Sequence, residues 1–267
     1  MSEDQLSSPA GEPTEVAQSR GSDSVLVILP TFNEVATLGE VVSRLTQVVS
    51  EAHILIVDDA SSDGTAELAD ELSANSPSIF VLHRSAKLGL GTAYLEGFEW
   101  AAARSYRWLV EMDADGSHLP EQLPELLRAA RDGAGLVIGA RWIEGGRVQG
   151  WPWYRRWISR TGTGVARMLL RSRLHDITSG FRVIDQSWLS RLPEGFPSTQ
   201  GYGFQVELAW GLEEAGCPIA EVPITFVQRR AGKSKMTVGI ACEALTLVLR
   251  HGLRLRLAPK TPSGPLE

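Results

Sequence analysis

Trp108-Leu109-Val110-Glu111-Met112-Asp113-Ala114-Asp115 is an apolar run that stops on two carboxylates one residue apart. A short run of this kind reads as a buried strand, with the acids at its carboxyl end. There one carboxylate can orient a sugar or ribose by accepting hydrogen bonds. The other can hold a hard divalent cation against a diphosphate. Acidic pairs after strands are also common as solvated turns, so this one gains meaning only from the sequence around it.

Upstream the same pattern repeats. Residues 25–29 form a short apolar run, followed by Pro30-Thr31-Phe32-Asn33-Glu34 and a helical pattern over 35–49. Residues 53–57 read as a second strand, closed by Asp58-Asp59-Ala60-Ser61-Ser62-Asp63-Gly64-Thr65 and a helix through 74. A third strand at 79–82 leads into Lys87-Leu88-Gly89-Leu90-Gly91-Thr92 and a helix over 91–103. After the fourth strand, 108–112, come a helix at 120–131 and a fifth strand at 136–139. Alternation of this kind predicts an α/β fold, a Rossmann-like, mostly parallel sheet flanked by helices on both faces. Ligands of such sheets bind beyond the carboxyl ends of the strands, where each of these polar motifs falls.

Beyond Arg141 the pattern changes to a turn-rich stretch, a basic helix near 154–171, and Asp176-Ile177-Thr178-Ser179-Gly180-Phe181-Arg182. A helix at 203–215, a strand at 219–222 and a final helix over 237–257 follow. That last helix has apolar residues at helical spacing with arginines opposite, and suits a core, a membrane surface or a partner equally well. Residues 1–23, polar and acidic, read as a disordered tail, 24–240 as one folded domain, and 241–267 as a C-terminal amphipathic helix and tail.

The 267 residues allow one sizeable core with room for a small appended subdomain. Hydrophobic residues make up 43% and charged residues 22%, ordinary for a soluble globular protein. Cys217 and Cys242 show no metal-ligand spacing and fit a reducing cytosol. No segment reads as a signal peptide or a membrane span. The net charge of −6 hides segregation: residues 1–23 hold five acids and one arginine, whereas 141–182 hold nine arginines against Glu144 and Asp176. Four of the eight tryptophans (142, 151, 153 and 157) share that basic window. Interleaved Arg and Trp suit an anionic membrane surface. A structural Arg-rich helix face remains open. No nucleic-acid motif accompanies the window, so nucleic acid is not an expected partner.

Among the motifs, Phe32 offers a face for a nucleobase, with Glu34 to accept from base or ribose; Asn33 would equally suit a helix cap. One of Asp58 and Asp59 can bind a base or ribose, while Asp63 fits a cap on the following helix. The Lys87–Thr92 stretch lacks both the Gly-Lys-Ser/Thr order of a phosphate loop and the dinucleotide fingerprint, and reads as a close-packed turn beneath a nucleotide.

The ordered set Leu-Pro-Thr-Phe-Asn-Glu, Val-Asp-Asp-Ala-Ser-Ser-Asp-Gly-Thr, Lys-Leu-Gly-Leu-Gly-Thr-Ala-Tyr, Met-Asp-Ala-Asp-Gly-Ser-His and Gly-Ala-Arg-Trp resembles the family 2 glycosyltransferases. More narrowly it is similar to the dolichol-phosphate (polyprenol-phosphate) mannosyltransferases, over about residues 24–240. The resemblance implies a type A glycosyltransferase fold with a basic, acceptor-side helical region. It implies a GDP-mannose donor, a polyprenyl phosphate acceptor and Mg2+ or Mn2+. Carried over by position, Pro30, Phe32 and Glu34 would hold guanosine, with Phe32 standing where the family usually has Tyr. Val57 and Asp59 would bind base or ribose, and Asp113, Ala114 and Asp115 would bracket the sugar nucleotide and the metal. Ser117 occupies the position of a second metal ligand. Arg141 matches the arginine after the fifth strand, and Arg229 and Lys235 match a basic loop over the diphosphate.

Arg141, with Arg156, Ser159 and Arg160 on the basic helix, would then bind the lipid phosphate, and Asp115 and Arg141 would carry the chemistry. The family implies a protein held peripherally at the inner face of the plasma membrane, and leaves room for a membrane-embedded partner resembling an apolipoprotein N-acyltransferase. Alternatives are a family 2 enzyme using a UDP-sugar, whose relatives commonly carry membrane spans, and a sugar-nucleotide-binding subunit without turnover.

Overall fold

The structure is a computed structural model that describes residues 23–193, 195–197, 201 and 203–229. Lys235 and the amphipathic helix expected over 237–257 lie outside the described residues.

Seven strands form one sheet. They are β1 (Val25–Thr31), β2 (His53–Asp58), β3 (Ile79–His83), β4 (Trp108–Glu111), β5 (Leu136–Ala140), β7 (Arg182–Asp185) and β8 (Ile219–Pro223), in the order β3-β2-β1-β4-β7-β5-β8. β6 (Arg147–Gln149) and β9 (Thr225–Val227) pair in parallel as a separate ribbon. The helices are α1 (Val35–Val48), α2 (Thr65–Ala74), α3 (Leu90–Ala102), α4 (Leu123–Arg131), α5 (Trp153–Leu170), the short α6 (Gln186–Leu189) and α7 (Gly203–Glu214). A 3-10 turn at Pro120–Gln122 leads into α4.

Alternation along β1 explains why both faces are covered. Val25, Val27 and Leu29 pack with Leu38, Val41, Val42 and Leu45 of α1 and Leu123, Leu126 and Leu127 of α4. Leu26 and Ile28 pack on the opposite face with Ala93, Tyr94 and Phe98 of α3 and with Phe204 and Leu208 of α7. Successive side chains of a strand point to opposite faces, so a strand apolar at every position needs helices on both sides.

β7 departs from the expected plan. It runs antiparallel to both β4 and β5, between which it is inserted. Its apolar content is only Val183 and Ile184 between charged ends, too short, like β6 and β9, to show a period in the sequence. An antiparallel strand starts at the edge where its parallel neighbours finish. The turn 176–181 ahead of β7 is therefore delivered to the carboxyl edge, beside the ends of β4 and β5.

After β5 the chain turns back through Gly146, where an added Cβ would lie 2.7 Å from the carbonyl oxygens of Ala140 and Arg141. Main-chain atoms cannot rotate aside as a side chain can. Gly146→Ala is expected to destabilise the fold by about 1–3 kcal/mol, read as a lower denaturation midpoint with an unchanged urea m-value.

Candidate active site

The loops after β1, β2, β3, β4 and β5 meet at one edge. After β4, Met112 and Ala114 turn into the core, while Asp115, also buried, pairs with Arg229. Asp115 Oδ1 accepts the Ser117 amide at 2.9 Å, and Oδ2 meets Arg229 Nη2 at 3.2 Å. The Asp113 amide donates to His118 Nδ1 at 3.1 Å. His118 is buried, stacked on Phe181 at 5.1 Å and edge-on to Phe226 at 5.3 Å. Burial lowers its pKa to about 4; Arg141 pushes the same way, while Asp115 and Asp176 oppose. The ring is thus neutral at physiological pH, with Nδ1 as acceptor and the proton on Nε2. It fixes the turn after the acidic pair.

On the opposite wall, Arg141 leaves β5 and is gripped by Asp176. Its amide and Nε each donate to Asp176 Oδ2 at 2.8 Å, and Nη2 donates to Oδ1 at 2.8 Å and to Thr178 Oγ1 at 2.9 Å. This two-point pairing of guanidinium and carboxylate leaves Nη1 as the nitrogen outside the set. The Asp176 amide in turn donates to Glu221 of β8 at 2.8 Å. The Thr178 and Thr163 hydroxyls are 3.1 Å apart, which ties the clamp to α5. Arg156, Ser159 and Arg160 lie seven, four and three residues before Thr163, so they share its helix face. Arg141 and His118 both approach the Phe226 ring, at 5.5 Å and 5.3 Å. Asp115 and Arg141 both lie close enough to His118 to act on its charge, on the same carboxyl edge of the sheet.

The nucleotide-side residues are positioned less uniformly. Pro30 pairs in register with Val57. The Val57 side chain is sealed in the core, so only its main chain can reach a ligand. Phe32 is partly exposed, with Lys87 Nζ 3.8 Å from its ring centroid. Glu34 is buried and its amide donates to Thr65 Oγ1 at 2.9 Å. Asn33 does not cap α1, which starts after Glu34; it takes φ +57° and accepts the Ser62 amide through Oδ1. Asp63 likewise stands one residue ahead of the N-cap of α2, which is Gly64, and accepts the Thr65 amide at 3.1 Å. Asp59 is committed to shaping the Gly-rich turn: it accepts from Arg84 Nη1 at 2.6 Å, from the Leu88 amide at 2.9 Å and from the Gly89 amide at 3.0 Å. Gly89 itself sits at φ +103°, a region that requires glycine.

Beneath the cleft, burial raises the Glu111 pKa to about 7 against the opposing pull of Arg182. The residues that sequence reasoning gave no role are Asp176, Thr178, His118, Phe226 and this buried pair. The Asp176–Arg182 stretch was visible as a polar, Gly-containing cluster, but its partner is 35 residues away.

A family model for glycosyl transferase family 2 matches residues 26–192. This chain belongs to that family. It is 45% identical over 249 residues to a polyprenol monophosphomannose synthase of Mycolicibacterium smegmatis, covering 93% of each chain. It is 48% identical over 232 residues to an undecaprenyl-phosphate mannosyltransferase of Micrococcus luteus, covering 87% of this chain and 95% of the relative. Among solved structures, a glucosyl-3-phosphoglycerate synthase of Mycobacterium tuberculosis, in complex with Mn2+, UDP-glucose and phosphoglyceric acid, superposes with a TM-score of 0.62. At 21% identity, covering 86% of this chain and 80% of that one, it supports the type A glycosyltransferase fold alone.

In this family 2 glycosyltransferase, Asp176→Ala is expected to destabilise by about 3–5 kcal/mol, because it leaves the Arg141 guanidinium buried without its carboxylate. Urea denaturation of the purified variant measures it.

Proposed function

We propose that the protein transfers mannose from GDP-mannose to a polyprenyl phosphate, giving β-mannosyl phosphopolyprenol and GDP. The observation that supports this reading is that Asp115, paired with Arg229, and Arg141, beside Phe226, both act on the charge of the buried His118 at the carboxyl edge. The two mannosyltransferase relatives, similar along nearly the whole chain, support the sugar and the class of acceptor.

Phe32, Pro30 and Glu34 take the guanosine, beside the main chain of Val57 and the turn braced by Asp59. Arg229 exchanges its contact with Asp115 for the diphosphate, joined by Lys235. Ser117 Oγ is buried and, among the described residues, lacks a hydrogen-bond partner. Together with the carboxylates of Asp113 and Asp115 it offers an all-oxygen set, and no cluster of three or more acidic, His or Cys ligands occurs among the described residues. Such a set suits Mg2+ or Mn2+ shared with substrate phosphate oxygens. The ion, when bound, would neutralise the charge of the leaving diphosphate.

The acceptor needs positioning more than deprotonation. A phosphate monoester has a second pKa of about 6, so its oxygen is anionic at neutral pH. Arg141 Nη1, with Arg156, Ser159 and Arg160, holds that phosphate opposite the donor. The phosphate oxygen forms a bond to the anomeric carbon as the bond to GDP breaks. The electron pair leaves on the β-phosphate oxygen, and the α-linkage inverts to β. Arg229 stabilises the charge developing there.

The acceptor's lipid places the reaction at a membrane surface. No helix among the described residues is long and apolar enough to cross one. The first two turns of α5, however, expose Trp153 (77%), Trp157 (65%), Ile158 (58%) and Tyr154 (54%) amid arginines, the composition of an interfacial helix.

Purified protein incubated with polyprenyl phosphate and Mn2+ should convert labelled GDP-mannose, in preference to UDP-glucose, into a mannosyl phospholipid, and a chelator should stop it; label that stays water-soluble would refute the reading. Arg141→Lys, which keeps the charge but loses the forked geometry, should lower kcat roughly tenfold or more while GDP binding by calorimetry is spared. The Trp153→Ala/Trp157→Ala variant should sediment markedly less with anionic vesicles than the wild type. Equal sedimentation would remove α5 from the membrane contact.

A further inference from the structure

Glu111 and Arg182 oppose each other in register across β4 and β7, where the donor strand ends. Both side chains are fully buried, and Nη1 approaches Oε2 only to 3.6 Å. Arg182 Nη2 donates to the Ile177 carbonyl at 2.9 Å. Among the described residues, Nε and Nη1 of Arg182, both carboxylate oxygens of Glu111 and the buried Tyr94 hydroxyl lack hydrogen-bond partners. As packing this is a poor solution, since apolar side chains of similar volume fill such a space without desolvated charge.

The attachments of the pair give it a purpose. Glu111 lies two residues before Asp113 on the strand that carries the acidic motif. Ile177 follows Asp176, whose carboxylate clamps Arg141. Arg182 thus faces the donor strand with one nitrogen and holds the acceptor-side turn with another. We propose that Glu111 and Arg182 are positioning residues that set the spacing between the Asp113/Asp115 carboxylates and the Arg141–Asp176 clamp. Fully buried, neither touches substrate.

The inference rests on the transfer reaction proposed above and concerns only its geometry. Nucleotide binding uses the donor wall alone and tolerates a shift of the opposite wall. Transfer does not, because it requires the acceptor oxygen in line with the anomeric carbon, where an ångström of displacement can cost about a hundredfold in rate.

The test compares the wild type, the double variant Glu111→Leu/Arg182→Met and the single variant Arg182→Lys. Wild-type turnover of GDP-mannose tests the reaction, and its absence would refute that reading and leave the pair without the role assigned here. The ratio of variant to wild type tests the pair. The double variant should melt no lower than the wild type. It should bind GDP with Mn2+ within about twofold, yet lose about tenfold or more in kcat. Arg182→Lys, which keeps the charge with a shorter reach, should fall between. Wild-type kcat in the double variant overturns the inference. So does a double variant that fails to fold, melts well below the wild type or loses nucleotide affinity in step with turnover, because the pair would then serve stability or donor binding.

Discussion

The rest of the site depends on one buried ion pair, Arg141 with Asp176. Each partner is removed from water, and the cost is offset only because the geometry is close: three donations to one carboxylate, with Thr178 on the remaining side. A guanidinium held at two points cannot swing. The same carboxylate locates the turn 176–181, and the Thr178–Thr163 hydroxyl contact carries that position to α5. Helix, strand end and turn move together or not at all.

Charge explains the remaining architecture. Asp113, Asp115, Asp176 and Glu111 crowd the carboxyl edge, with Arg141, Arg182 and Arg229 among them. Arg229 on Asp115 is the least buried of these cations. His118, neutral between Phe181 and Phe226, adds a wall without adding charge. Electrostatic contacts strengthen where such walls exclude water, so the charged groups at this edge interact in a weakly screening medium.

Much of this was legible in the chain itself. Unbroken apolar runs at β1, β2 and β5 announced strands buried on both faces, and the acidic, Gly-rich and Asn-Glu motifs fall at their carboxyl edge. Asp59 illustrates the limit. Its place after β2 marked it as functional, but Arg84 and the amides of Leu88 and Gly89 take its oxygens, and those contacts arise only when β2 and β3 pair. Val57 was placed beside the ligand by position, while strand alternation turned its side chain inward.

The sequence by itself determined the α/β alternation and the placing of the acidic pair at the carboxyl end of a buried strand, because periodicity and turn chemistry act over a few residues. Tertiary structure alone decided that β7 enters antiparallel, that Asp176 meets Arg141, and that Glu111 finds Arg182 across the sheet. Each of those contacts joins residues distant in the chain. Its free energy depends on desolvation by neighbours that no local pattern records.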